Sequence, residues 1–177
     1  MAVTIAMLQG VNVGKYKRIS MADFKTIIAG LGGEEASTVA NSGNIVFRHD
    51  DSRTPEELRL AIEQAVTEHV GVPIPTVTRT GAEMREIVEA NPYPEADDPK
   101  SLHVEFLMEP MDGALEGIAF GEDHLTMIGQ EIYMHLPNKM SGITYDAKSL
   151  FKRLGTHHTS RNWSTVTKLA AIANGLA

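Results

Sequence analysis

Three observations predict an α+β fold. Short β-prone runs alternate with capped amphipathic helices, and an Asn-Ser-Gly-Asn turn at 41–44 joins two of the runs. A second round of the same order follows a Pro- and acid-rich segment at 91–100. The expected architecture is two tandem ferredoxin-like (β-α-β-β-α-β) subdomains with antiparallel sheets, the second ending in an extra C-terminal helix. Residues 1–79 form the first half, 80–100 a helix and connection, and 101–177 the second half with its C-terminal helices.

Residues 2–8 (AVTIAML) are apolar and β-prone and read as the first strand. Ser20 and Asp23 frame a capping box that opens a helix with Met21, Phe24, Ile27, Ile28 and Leu31 as its apolar stripe, ended by Gly32-Gly33. Strands over about 35–40 and 44–49 flank the turn, a strong hairpin signal. Thr54-Pro55-Glu56-Glu57 is a second capping box with proline at the first helical position. The run 73–78 (PIPTVT) is a short strand, placed at a sheet edge because proline cannot donate to a ladder. Thr80 and Glu83 cap a third helix carrying Met84, Ile87 and Val88.

The pattern then restarts. Residues 102–108 form a strand, Met111–Ile118 a short helix, and 124–136 a hairpin across Gly129-Gln130. Asp146–Leu154 is a helix closed by Gly155, and Trp163–Asn174 a last helix capped by Thr159 or Ser160. The second half thus reads β-α-β-β-α-α, with a helix where the repeat calls for a strand.

Composition excludes several classes of function. Cysteine is absent, which removes thiolate catalysis, iron–sulfur clusters and disulfides and fits a reducing cytoplasm. No apolar run is long enough to span a bilayer and no signal peptide is visible, so no membrane partner is expected. His157 and His158 are consecutive and diverge, while His103 and Glu105 share a strand face without a third ligand; no metal and no cofactor are expected. GxSxG, HExxH and paired-carboxylate patterns are missing, so the sequence names no catalytic residue. A cytoplasmic monomer or weak dimer is the expected state.

Charge is uneven. The chain carries −7 overall, with four bases against one acid in residues 1–33, six against 21 in 34–138, and six against one in 139–177. Non-specific nucleic-acid binding needs many phosphate contacts and is not expected of an acidic chain, whereas a local basic patch still attracts a small anion.

Three polar segments can carry chemistry. QGVNVGKYKR (9–18) joins a strand to a capped helix, its glycines permit positive φ, and Lys15, Lys17 and Arg18 suit an anion. It departs from a P-loop at Gln9 and at Tyr16, which stands where a Mg²⁺-binding hydroxyl belongs. The turn 41–44 offers Asn41, Ser42 and Asn44. The segment 156–169 offers Thr159, Arg161 and Asn162 before a helix, while Trp163, Val166 and Ala170 share one apolar face. In a β-α-β-β unit the first two strands run the same way, so the 9–19 loop and the 41–44 turn are neighbours.

These boxes resemble a widespread bacterial family, domain of unknown function sixteen-ninety-seven. AMLQGVNVGKYKRISMADFKTIIAGLG, STVANSGNIVF, NPYP and TSRNWSTVTKL follow the order of that family's LLRGINVGG, TYIQSGNVVF and TRNWNTV patterns. The chain departs from them at Gln9, Lys15, Val39, Asn41 and Ser164. The resemblance implies a two-part α/β fold of ferredoxin-like character and no activity, substrate or catalytic residue.

The functional expectation is a domain holding a small anionic, phosphate-bearing or nucleotide-like ligand at a shared edge. Gly10 and Gly14 amides and Asn12 would hold it, Lys15, Lys17 and Arg161 neutralise it, and Asn41, Asn44 and Asn162 orient it, with Ser42 and Thr159 also among the ligand-binding residues. One alternative is a metal-independent transferase or hydrolase using Ser42 or Thr159, with His157 or His158 as base. Another is an interaction module whose acidic middle docks a basic partner.

Overall fold

A computed structural model describes residues 1–177. The first half contains β1 (Ala2–Leu8), α1 (Met21–Gly30), β2 (Glu34–Thr38), β3 (Asn44–His49), α2 (Pro55–Val70), β4 (Thr76–Thr80) and α3 (Gly81–Glu89). The second contains β5 (Leu102–Leu107), β6 (His124–Ile128), β7 (Glu131–His135), α4 (Ala147–Leu154), β8 (His158–Asn162) and α5 (Trp163–Leu176). Each half forms a four-stranded antiparallel sheet, ordered β2-β3-β1-β4 and β6-β7-β5-β8, so the strand arrangement is ferredoxin-like twice over.

Local chemistry fixes most helix starts. Thr54 and Thr80 form reciprocal capping boxes, each side chain accepting from the glutamate amide three residues on while that glutamate accepts from the cap's own N–H. Such a cap contributes roughly 1 kcal/mol. At α1 the box is half made: Ser20 accepts from the Asp23 amide, but its hydroxyl donates to the Asp23 carboxylate at 2.6 Å, so Asp23 does not reach the backbone.

Two readings of the second half need correction. Met111–Ile118 forms turns and no helix, because Gly113 and Gly117 both take φ of +67° and break the ladder. Thr159 and Ser160 do not cap α5; they lie within β8, which pairs with β5 from His103–Asn162 to Leu107–His158. Asn162 is the cap, accepting from the Thr165 amide at 2.9 Å. The expected extra helix therefore follows a fourth strand, as α3 follows β4. A strand polar on both faces carries no period-2 hydrophobic signal, which hid β8 from the sequence.

Register makes the two halves equivalent residue by residue. Ile5 faces Arg79 as Val104 faces Arg161, and Met7 faces Asn44 as Phe106 faces Glu131. The amide of Gln9 donates to Pro75 O and that of Met108 to His157 O, extending the match past each strand end.

Alternation along the strands supplies three layers of core. Ala6, Leu8, Ile45 and Phe47 of the first sheet pack against Phe24 and Ile28 of α1 and Leu58, Ile62 and Val66 of α2. Leu107, Ile132 and Met134 of the second pack against Leu150 and Leu154 of α4. The opposite faces meet in a shared core: Ile5, Met7, Val46 and Val77 join Val104, Phe106 and Tyr133, with Met84 and Ile87 of α3 and Val166, Leu169 and Ala173 of α5. Burial of this kind stabilises by roughly 1.5–3 kcal/mol per large side chain. No helix is long and apolar enough to cross a membrane.

Candidate functional site

The three polar segments meet where the halves join. β1 and β2 both pair antiparallel with β3, so they run parallel, and the loop after β1 lies beside the turn before β3. The Leu8 amide donates to Gly43 O at 2.8 Å. Gly43 takes φ of +77°, and a Cβ there would stand 2.7 Å from Val11 Cγ2 and 2.8 Å from Leu8 Cβ. Only glycine permits that approach.

Asn12 organises the 9–19 loop. Its side-chain amide donates to Ile19 O at 2.9 Å and to Asn41 O at 2.7 Å, while its carbonyl oxygen accepts from the Ile19 amide at 3.0 Å. Its own N–H donates to Lys17 O at 3.0 Å. Asn12, Gly14 and Lys17 all take left-handed φ between 54° and 69°, and Arg18 donates to Gly14 O at 3.2 Å. The loop is therefore tied at both ends and curled in the middle. Lys15 and Lys17 stand exposed on it and join none of the ion pairs.

Arg161 enters this junction from β8 and is 7% exposed. Its Nε donates to Asn44 Oδ1, Nη1 to Thr159 Oγ1 (2.6 Å) and Ser160 O (2.8 Å), and Nη2 to Leu8 O (2.8 Å) and Ser42 O (3.0 Å). All five N–H groups are thus occupied by protein. Asn44, fully buried, spends its amide on Val39 O and Ser42 Oγ, each at 2.9 Å. Burial pulls the guanidinium pKa down to about 10, while the carboxylate of Glu105 holds it up, so Arg161 is charged at neutral pH.

Of the residues singled out in the sequence, Gly10, Asn12, Asn41, Ser42, Asn44, Thr159 and Arg161 are therefore brought to one junction. Asn12 and Arg161 direct donors at the 41–44 turn, and Asn44 accepts from Arg161 while its own amide stays within the 39–44 segment. Asn162 caps α5, and Lys15, Lys17 and Gly14 form the exposed outer part of the loop. Beside that loop, a cleft of about 630 Å³ is lined by Asn12, Arg18, Ser20, Asp23 and Asn41.

Thr159 and His158 point to opposite faces of β8, as neighbours on a strand must. The Thr159 hydroxyl accepts from Arg161, while His158 Nδ1 lies 2.6 Å from Glu105 Oε1 with its ring stacked on Phe151 at 4.9 Å. His157 is exposed. The hydroxyl–imidazole pair that a Thr159 nucleophile needs is not made through His158. Glu105 and His103 do share a face, as their spacing requires; burial holds the His103 imidazole below its usual pKa and its Nδ1 has no partner.

One pair escaped the sequence reading. Arg79 on β4, 6% exposed, donates from Nε to Glu131 Oε1 at 2.7 Å, from Nη1 to Thr78 O and from Nη2 to Leu107 O, each at 2.8 Å, and lies over the Phe106 ring. A signal was present: Thr78-Arg79-Thr80 and Ser160-Arg161-Asn162 share one pattern of hydroxyl, arginine and helix cap.

A family model described as "Protein of unknown function (DUF1697)" matches residues 1–133. The fold is similar to that of the conserved bacterial protein SP0830 from Streptococcus pneumoniae, with a TM-score of 0.75 and 20% identity over 97% of this chain and 98% of that one. No curated protein matches the chain.

Proposed function

The chain belongs to the DUF1697 family of proteins of unknown function, and we propose that its role is to bind a small phosphate-bearing anion on the 9–19 loop beside the 41–44 turn. One observation carries this reading. The loop is preorganised by the three side-chain hydrogen bonds of Asn12 and presents Lys15 and Lys17, free of carboxylate partners, on a chain of net charge −7. A loop already curled loses little entropy on binding, and that saving appears as affinity. Arg18 and the exposed amide of Asn41 border the cleft on the ligand's side. Asp23 lines it too, its carboxylate occupied by Ser20 and facing His69 at 3.6 Å.

Arg161 and Asn44 have a supporting part in this scheme. With every guanidinium N–H committed, Arg161 fixes the 41–44 turn from below and leaves the ligand to Lys15, Lys17, Asn41 and loop amides.

Calorimetric titration with inorganic tripolyphosphate tests the proposal, comparing the wild type with the Lys15→Ala/Lys17→Ala double variant. Binding that weakens at least tenfold in the variant and falls with rising salt supports it. A ligand at 100 times its Kd stabilises by about 2.7 kcal/mol, so an unmoved Tm at millimolar tripolyphosphate refutes it.

A further inference from the structure

Tyr16 is 83% exposed, the most exposed large apolar side chain of the chain, and Val13 on the same loop is 75% exposed. Its sequence neighbours are Lys15 and Lys17. An aromatic ring left in water adds nothing to the core, and a floppy loop could have folded it away. This loop cannot: the Asn12 N–H to Lys17 O bond, the Arg18 to Gly14 O bond and the left-handed turns at Gly14 and Lys17 hold the backbone on both sides of the ring. The chain thus presents an exposed aromatic ring, on a backbone held in place, between two unpaired ammonium groups. Phosphate alone makes no use of such a face, whereas a nucleobase stacks on it and brings its phosphate to the flanking cations.

We infer that the anion is a nucleotide unit, its base stacked on Tyr16 and its phosphate held by Lys15 and Lys17. This rests on the anion-binding reading above and narrows its ligand to one class. The same chemistry is offered by a free nucleotide and by a nucleotide within a single strand. The net charge of −7 and the small basic area limit the contact to one or two units, whichever the source.

The test titrates the full chain with ATP, a ten-nucleotide single-stranded oligonucleotide and inorganic tripolyphosphate, each against wild type, Tyr16→Ala and Tyr16→Phe. The expected result is ATP bound about tenfold more tightly than tripolyphosphate by wild type and Tyr16→Phe, the two bound equally by Tyr16→Ala, and tripolyphosphate affinity unchanged across all three. Tighter binding of the oligonucleotide than of ATP assigns the unit to a strand, and the reverse order assigns it to a free nucleotide. If wild type binds tripolyphosphate as well as either base-bearing ligand, the stacking role of Tyr16 is wrong while anion binding stands. If it binds none of the three, both fall together.

Discussion

Arg161 and Arg79 occupy equivalent positions on β8 and β4, and each reaches across the junction into the other half. Arg161 bonds Asn44, the first residue of β3, and Leu8 O at the end of β1; Arg79 bonds Glu131, the first residue of β7, and Leu107 O at the end of β5. Each also donates to the carbonyl of the residue before it. The halves are thus buckled twice by one device under a local two-fold relation, with a carboxylate as acceptor in one buckle and an amide in the other. The self-complementary pattern is that of an isologous interface contained in a single chain.

Replacing Arg161 by Met should destabilise the protein by about 3–5 kcal/mol, because Asn44 Oδ1 and the carbonyls of Leu8 and Ser42 lose their donor inside the structure. Arg161→Lys should recover only part of that, since an ammonium cannot span five acceptors. Urea unfolding measures both. A cost under about 1 kcal/mol for Arg161→Met would show the buckle to be dispensable.

Glu131→Gln should be tolerated far better than Glu131→Ala, because glutamine still accepts from Arg79, as Asn44 does from Arg161. Burial, opposed by Arg79, leaves the Glu131 carboxyl above its usual pKa. A carboxyl raised in the folded state binds more protons there than when unfolded, so wild type gains stability relative to the Gln variant as pH falls through that raised pKa toward 4.5. Paired unfolding curves at pH 7 and pH 5 check the sign, and a gap moving the other way contradicts it.

Asn12→Ala removes three side-chain hydrogen bonds and places alanine at φ of 58°. The expected effect is a loss of about 1–3 kcal/mol and faster tryptic cleavage after Lys15, Lys17 and Arg18. Mass spectrometry of a timed digest reads it directly; cleavage at the wild-type rate would mean that the loop is held by something else.

Gly43→Ala forces a methyl group to within 2.7 Å of Val11 and 2.8 Å of Leu8 at a positive φ. We expect a loss of at least 2 kcal/mol in chemical denaturation. Gly14→Ala is the contrast, with nothing within 4 Å of its added Cβ and only the backbone conformation to oppose it. Equal costs at the two positions would remove the steric argument.

What the sequence resolved was set within a few residues of chain. Thr54 and Thr80 announce their helices because cap and glutamate lie three residues apart, and Asn41–Asn44 announces a hairpin because the turn needs a positive φ at Gly43. From these followed the strand order of the first half and the contact between the 9–19 loop and the turn. The three polar segments were legible as segments for the same reason. Strand β8 was not, because its polar residues are matched by partners distant along the chain, and Met111–Ile118 misled because two glycines outweigh a weak apolar spacing.

By itself, then, the sequence determined the α+β class, the repeat and the meeting of the 9–19 loop with the 41–44 turn, all from local periodicity, turn chemistry and the handedness of crossovers. Only the tertiary structure decided that Arg161 faces inward and that Lys15, Tyr16 and Lys17 face out. The direction of an arginine on a strand is set by whichever acceptors surround it. For Arg161 the anchor is Asn44, 117 residues away on the opposing sheet, a distance over which no pattern of neighbours carries information.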